Sequence, residues 1–174
     1  TATAGINSAT VAFTAPSNTG NSAITSYTVT SSPGGITATG SSSPITVNGL
    51  TPGTNYTFTV VATNSVGNSV PSAASNAVTP YNVPLQPVIG NITTLGLFAS
   101  VPVTVNNNGS AITNYTATVN PGNLVFNSAV ASIPVNLPAS GTYSVVVTAT
   151  NAAGTSVASI AVNFTVVAIP SPQT

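Results

Sequence analysis

The chain contains two copies of one sequence unit, and this repeat constrains the fold more than any other feature. The heptapeptide SAITSYT that begins at Ser22 returns as SAITNYT from Ser110, an offset of 88 residues. The tetrapeptide ATNS that begins at Ala62 returns as ATNA from Ala149, an offset of 87 residues. The two offsets differ by one residue, so the two tandem copies differ by a single-residue deletion. Each copy is long enough for one domain. We predict a first domain over residues 1–80 and a second over residues 81–174, with the boundary in the proline-containing stretch 79–84.

Apolar and hydroxyl side chains alternate within each copy, which is typical of β-strands that bury one face. The inward row of the first copy comprises Tyr56, Phe58, Val60 and Ala62. The inward row of the second copy comprises Tyr143, Val145, Val147 and Ala149. Turn signals such as Asn-Gly and Pro-Gly divide each copy into roughly seven short strands. We therefore predict an all-β fold of two tandem antiparallel β-sandwiches.

A further apolar stretch near the end of the second copy predicts an unusually long last strand over residues 157–168. Both of its rows are nearly apolar, so the strand either covers a long sheet or leaves one end for a neighbouring molecule to pair with. We predict that strand addition over residues 157–169 forms a subunit contact. The side chains expected to carry this contact are Ala158, Ile160, Val162, Phe164 and Val166.

The chain contains no Lys, Arg, Asp, Glu, His or Cys, and this absence excludes several functions. No side chain is available as a general acid or base near neutral pH, so we predict no catalytic residue and no enzyme. Zinc, iron and copper sites need His, Cys or carboxylate ligands, so we predict no metal and no cofactor. Nucleic acid binding needs Lys or Arg, and no apolar stretch is long enough for a bilayer. We therefore predict neither a nucleic-acid partner nor membrane insertion.

Three segments of the first copy, residues 8–16, 24–29 and 50–58, form a recognisable set that residues 64–72 complete. Together they resemble the fibronectin type III domain in the form common in bacterial extracellular proteins, over about residues 1–80. The resemblance implies a core tyrosine corner at Tyr56 and at its counterpart Tyr143, with a packed ring and a hydroxyl that returns to the backbone. Phe13 stands where the family usually has Trp, which implies a smaller core there. The second copy keeps the second-half signature alone, so it is a divergent fibronectin-like or Ig-like domain.

Threonine rows and one tyrosine are candidate binding groups for a glycan. The outward threonines are Thr57, Thr59 and Thr63, beside Thr28 and Thr30. They form either a flat hydroxyl ladder that binds glycan or ice, or a solvated strand face with high β-propensity. Tyr81 at the domain boundary either stacks on a sugar or packs between domains.

Five N-x-S/T sequons are present. Because the chain is rich in Asn, Ser and Thr, several of them arise by chance. They begin at Asn55, Asn91, Asn108, Asn114 and Asn163. Asn55 and Asn163 are predicted to lie mid-strand, where they are poorer glycan acceptors than Asn108 in a loop.

The missing charges lead to a functional hypothesis. Net charge keeps free domains apart, and a neutral surface lacks that repulsion. We therefore expect a self-associating, non-catalytic building block of an extracellular or cell-surface assembly, such as a filament, sheath, surface layer or adhesin stalk. The alternatives are a passive spacer or carbohydrate-binding accessory module of a secreted hydrolase, and a fibre domain of a bacterial virus. From the start at Thr1 without Met, we expect a fragment or a processed piece of a larger secreted chain.

Overall fold

The computed structural model describes residues 1–170, in which the regular secondary structure is entirely β-strand. The chain divides into two compact units, Thr1–Asn82 and Val83–Thr174. This division lies two residues after the predicted boundary because Tyr81 pairs with the first unit: its N–H donates to the Gly5 carbonyl (3.2 Å) and its carbonyl accepts from Asn7 (3.0 Å). The last four residues of the predicted second domain lie outside the described residues.

Within the described part of the chain, no helix is long and apolar enough to cross a membrane.

The first unit contains six strands in two antiparallel sheets. The strands are β1 (Ala2–Gly5), β2 (Ser8–Val11), β3 (Ile24–Ser32), β4 (Thr37–Gly40), β5 (Ile45–Asn48) and β6 (Thr57–Asn64). One sheet has the order β1-β2-β5 and the other has the order β4-β3-β6. In β6 the predicted alternation is present in part: Phe58 and Ala62 are buried and Thr59 is half-buried, whereas Val60, predicted to point inward, is half-buried and packs against the core.

Aliphatic and aromatic side chains form the core between these two sheets. The buried members are Ala2, Ala9, Val11, Tyr27, Val29, Ile45, Val47, Leu50, Tyr56, Phe58 and Ala62. Phe13 packs against this core from a half-buried position, with its ring centroid 4.8 Å from that of Tyr27. Four of the buried residues, Val11, Val29, Ile45 and Val47, are β-branched, as strands favour.

Residues 83–170 of the second unit contain nine strands, again antiparallel. They are β7 (Val88–Ile89), β8 (Thr93–Leu95), β9 (Phe98–Thr104), β10 (Asn114–Asn120), β11 (Leu124–Ser128), β12 (Ser132–Asn136), β13 (Gly141–Asn151), β14 (Gly154–Thr155) and β15 (Val162–Val166). One sheet has the order β12-β9-β7, with β8 also paired to β9. The other has the order β11-β10-β13-β14, with β15 also paired to β13. The core of the second unit is built on β13. The inward residues Tyr143, Val145, Val147 and Ala149 are all buried, as the alternation predicts.

The last strand is shorter than its sequence pattern predicts. It covers Val162–Val166 instead of residues 157–168. In the segment before it, Ser156 and Ser159 donate to backbone carbonyls of β13, and they are three residues apart. A strand pairs through every second residue, so this spacing is incompatible with a regular strand over 157–161. The first unit shows the same departure: the segment after β6 is not a seventh strand.

Candidate functional site

Hydroxyls and amides are the polar side-chain groups of both units, and this limits the chemistry that any surface can perform. Among residues 1–170 there is no cluster of three or more His, Cys, Asp or Glu that could hold a metal ion. Every buried side-chain nitrogen or oxygen in this part of the chain has a hydrogen-bond partner. No orphaned polar atom therefore marks a ligand or cofactor position, and the buried polar groups serve the backbone.

Serines spaced three residues apart hold the segment after β6 to that strand. Each backbone N–H of Ser69, Ser72 and Ser75 donates to a β6 carbonyl at 2.8–2.9 Å. Each serine Oγ accepts the N–H of the same β6 residue at 3.0–3.1 Å and donates its proton to the next carbonyl along its own segment. The β6 partners, in order, are Ala62, Val60 and Phe58. We term this arrangement a serine ladder, in which three residues of the segment span two residues of the strand.

The second unit has the same ladder at the equivalent positions. Ser156 and Ser159 donate to the carbonyls of Ala149 and Val147, both at 2.8 Å. Their hydroxyls accept the N–H groups of the same two residues, at 3.0 Å and 2.9 Å. Val162 stands where a third serine would follow, and regular pairing begins there. Sequence reasoning missed both ladders, although the signal is present as serine at every third position.

The two tyrosines predicted to form corners have equivalent environments. The ring of Tyr56 is buried, and its hydroxyl oxygen accepts the N–H of Thr51 at 3.2 Å. The ring of Tyr143 is also buried, and its hydroxyl donates to the carbonyl of Ala139 at 3.1 Å. Each hydroxyl thus ties the strand to the loop that precedes it. Both contacts are made to the backbone, as in the predicted corner.

The residues predicted as a subunit contact do not share one surface. Phe164 and Val166 are 8% and 1% exposed and belong to the core of the second unit. Ala158 is exposed, Ile160 is 79% exposed and Val162 is half-buried. The change from serine ladder to regular strand at Val162 breaks the alternation on which the prediction rests. Ala158 and Ile160 are therefore the members of this row that a partner can reach on the folded unit.

Threonines cover the outer face of the sheet β4-β3-β6. Cross-strand neighbours form one row of Thr37, Thr30 and Thr59 and a second row of Thr39, Thr28 and Val61. Within residues 1–170, the hydroxyls of these threonines make no hydrogen bond to another side chain. The predicted threonine row along β6 is thus part of a wider surface, which we term the threonine face. On the corresponding sheet of the second unit hydroxyls pair with each other instead, as in Thr142 with Thr165 (3.1 Å).

The remaining candidates differ in how strongly the fold restrains them. Tyr81 is half-buried, and Ile6 pairs with it in a parallel bridge. The amide of Asn108 donates to the carbonyl of Val83 at 2.8 Å, so this sequon is less open than its loop position predicts. Asn55 lies in an exposed position before β6 and not within a strand, which corrects the sequence prediction. Asn163 lies within β15, as predicted.

The fold and its polar groups define a class: a tandem array of antiparallel β-sandwich units whose polar side chains support the backbone. The family model for the fibronectin type III domain matches residues 2–78, which is most of the first unit. The chain is also similar to the crystal structure of chicken CNTN1 FN1-FN3 domains, with a TM-score of 0.53 and 17% identity. That alignment covers 95% of this chain but 64% of the other, so the chain spans under two thirds of its length. No curated protein matches significantly.

Proposed function

We propose that the chain is a non-catalytic structural building block of an extracellular or cell-surface assembly and that it associates with copies of itself. The observation that carries this proposal is the threonine face, an extended sheet surface without an ionisable group. A fibronectin type III fold commonly serves as a structural or spacer module, which agrees with such a role.

Neutral faces favour self-association for a physical reason. Two copies of a charged domain repel each other, and burial of their charges costs desolvation free energy. A face of hydroxyl and methyl groups has neither penalty, because hydroxyls both donate and accept hydrogen bonds and the methyl groups bury apolar area. The exposed Val157 and Ile160 on the serine-ladder segment add apolar area at a sheet edge. We place one subunit contact at this edge of the second unit and a separate one on the threonine face of the first unit.

The second unit belongs, in this proposal, to the same bacterial-type family as a divergent member. Two observations support the assignment. Ser156 and Ser159 repeat the ladder of Ser69 and Ser72 at an offset of 87 residues, with equivalent strand partners. Tyr143 repeats the buried position of Tyr56 at the same offset.

Electron microscopy and sedimentation at increasing protein concentration test the assembly. We expect polymers whose amount rises with concentration and does not fall when salt is added. Ile160→Lys should reduce assembly, because it places a charge in the proposed contact. Val125→Lys is the matched control: Val125 is 57% exposed on β11, away from the serine ladder. A chain that stays monomeric at every concentration would contradict the proposal.

A carbohydrate-binding or spacer module of a secreted hydrolase is the second candidate, as is a fibre domain of a bacterial virus. One observation favours a glycan: a groove of about 330 Å³ lies beside the ring pair Phe13 and Tyr27, bordered by Val70 and Pro71. Sugars stack on aromatic rings through their apolar faces. Pull-down on cellulose and chitin tests this candidate, with Phe13→Ala expected to abolish binding. A catalytic domain in the flanking sequence would favour the accessory module.

A further inference from the structure

The sequence contains two Asn-Gly dipeptides, at Asn48–Gly49 and Asn108–Gly109. In such a dipeptide the backbone nitrogen of glycine can attack the side-chain carbonyl carbon of asparagine. A carbon–nitrogen bond forms, the amide nitrogen leaves as ammonia, and a cyclic imide results. Water then opens the imide to leave a carboxylate, as aspartate or isoaspartate. Glycine favours this step because it has no Cβ to hinder the approach.

Both reacting groups are unrestrained at the first dipeptide. Asn48 is the last residue of β5, and its exposed side chain makes no hydrogen bond within residues 1–170. Gly49 has a φ of 77°, and a Cβ placed on it would meet nothing within 4 Å. The next backbone bond belongs to Leu50, whose N–H donates to the Asn7 carbonyl at 3.0 Å. The Gly49 nitrogen can therefore approach the Asn48 side chain without the loss of a hydrogen bond by either reacting group.

Both reacting groups are held at the second dipeptide. The Nδ2 of Asn108 donates to the Val83 carbonyl at 2.8 Å, which restrains the side chain. The Gly109 N–H, which would have to attack, donates to Oδ1 of Asn107 at 3.2 Å. Asn108 is further fixed by its own N–H, which donates to Oδ1 of Asn106 at 2.8 Å. Cyclisation here requires at least the first two of these bonds to break.

We propose that Asn48 is a site of spontaneous deamidation and that the fold protects Asn108. The co-reactant is water and the product besides ammonia is a carboxylate at the end of β5. Because no side chain of the native sequence carries a charge at neutral pH, this modification introduces the first one, and net side-chain charge changes from 0 to −1. The first unit therefore gains a negative charge over time, at position 48.

The test is incubation of the purified full chain in mildly alkaline buffer. Isoelectric focusing separates the modified species, and peptide mass spectrometry assigns each modification to position 48 or 108. Endoproteinase Asp-N gives a second readout, since the starting chain has no aspartate and is cut only where aspartate has formed. With two ordinary hydrogen bonds to break at Asn108, we expect modification at position 48 to be about 30-fold faster. In denaturant the two rates should become similar.

Two variants complete the test. Asn48→Gln should remove the early acidic species, and Asn107→Ala, which deletes the acceptor of the Gly109 N–H, should accelerate modification at position 108. Native-state modification at position 108 as fast as at position 48 would overturn the proposal. So would an unchanged rate of charge gain in Asn48→Gln.

Discussion

At the scale of single residues, serine hydroxyls replace the main-chain carbonyls that accept hydrogen bonds in an ordinary strand pair. In the second unit the replacement lies inside the protein: Ser159 is 6% exposed, and its Oγ is the acceptor for the Val147 N–H at 2.9 Å. A buried N–H without an acceptor loses its hydration with no compensation. The ladder serines are therefore structural residues.

Ser159→Ala should lower the free energy of unfolding by about 1–3 kcal/mol, because it leaves the Val147 N–H buried without its side-chain acceptor. Urea unfolding measures the change. Ser110→Ala is the control in the same unit, since the Ser110 hydroxyl makes no hydrogen bond within the described residues, and we expect a change within about 0.5 kcal/mol. Equal effects of the two substitutions would argue against the ladder as a source of stability.

The tyrosine hydroxyls give a second prediction at this scale. Tyr56→Phe removes the acceptor of the Thr51 N–H, and Tyr143→Phe removes the donor to the Ala139 carbonyl. Each should reduce the free energy of unfolding by about 1 kcal/mol, the net value of one ordinary hydrogen bond. Tyr81→Phe should have little effect, since the Tyr81 hydroxyl has no hydrogen bond among residues 1–170. Thermal unfolding followed by circular dichroism compares the three variants.

At the scale of elements, the end of the second unit joins two kinds of segment. Residues 156–160 attach to β13 through serines, whereas Val162–Val166 pairs with it as a regular strand. The change from one kind of segment to the other determines which apolar side chains enter the core. The ring centroid of Phe164 lies 6.1 Å from that of Tyr143, whereas Ile160 faces solvent.

Truncation of the two apolar side chains distinguishes these segments. Phe164→Ala should destabilise the second unit by about 3–5 kcal/mol, because it leaves a cavity in the core. Ile160→Ala should change the free energy of unfolding by less than about 0.5 kcal/mol, because the side chain is already in water. The measurement is chemical denaturation of both variants beside the native chain. Similar losses would mean that residue 160 packs as strongly as residue 164.

The strands of the core could be predicted from the sequence, and the ladders could not. Alternation predicts β6 and β13 because their inward residues, such as Phe58 and Val147, are apolar and most of their outward residues carry hydroxyls. Val157 and Ile160 have the composition of a strand, so the same reasoning extends β15 too far. The conformation of Val157 and Ile160 depends instead on the Ser159 hydroxyl, which accepts a hydrogen bond from β13. A hydropathy pattern does not show such a bond.

At the scale of the whole molecule, the repeat predicts the tandem organisation because each copy contains a complete alternating pattern. The first strand of the second unit could not be predicted in this way, since residues 90–92 interrupt it and leave the short β7 and β8. The candidate surfaces were predictable as neutral and hydroxyl-rich. Their extent was not, because the threonine face needs the cross-strand register that brings Thr37, Thr30 and Thr59 together.

The absence of ionisable side chains other than tyrosine predicts how the molecule responds to pH. With no side-chain carboxylate or His to titrate, the thermal unfolding midpoint should be constant between pH about 4 and 7, and moderate sodium chloride should not change it. Calorimetry measures both.

A double variant is the control for that prediction. Thr30→Glu with Thr59→Glu places two carboxylates directly opposite each other on β3 and β6. Like charges in this position destabilise a sheet, so stability should fall as pH rises and both groups ionise. A native chain with the same pH dependence as the double variant would show that an unidentified group titrates.

The serine ladder also determines which changes of length the chain can tolerate. Because three residues of the segment span two of β6, removal of residues 70–72 would bring Ser75 opposite Val60, where Ser72 now lies. The hydrogen bonds at that rung would be remade with a different serine, and the ladder would lose only its last rung, at Phe58, where Val78 would then lie. Removal of one or two residues would instead place a side chain without a hydroxyl at the rung. Insertions and deletions in this segment of related sequences should therefore occur in multiples of three amino acids.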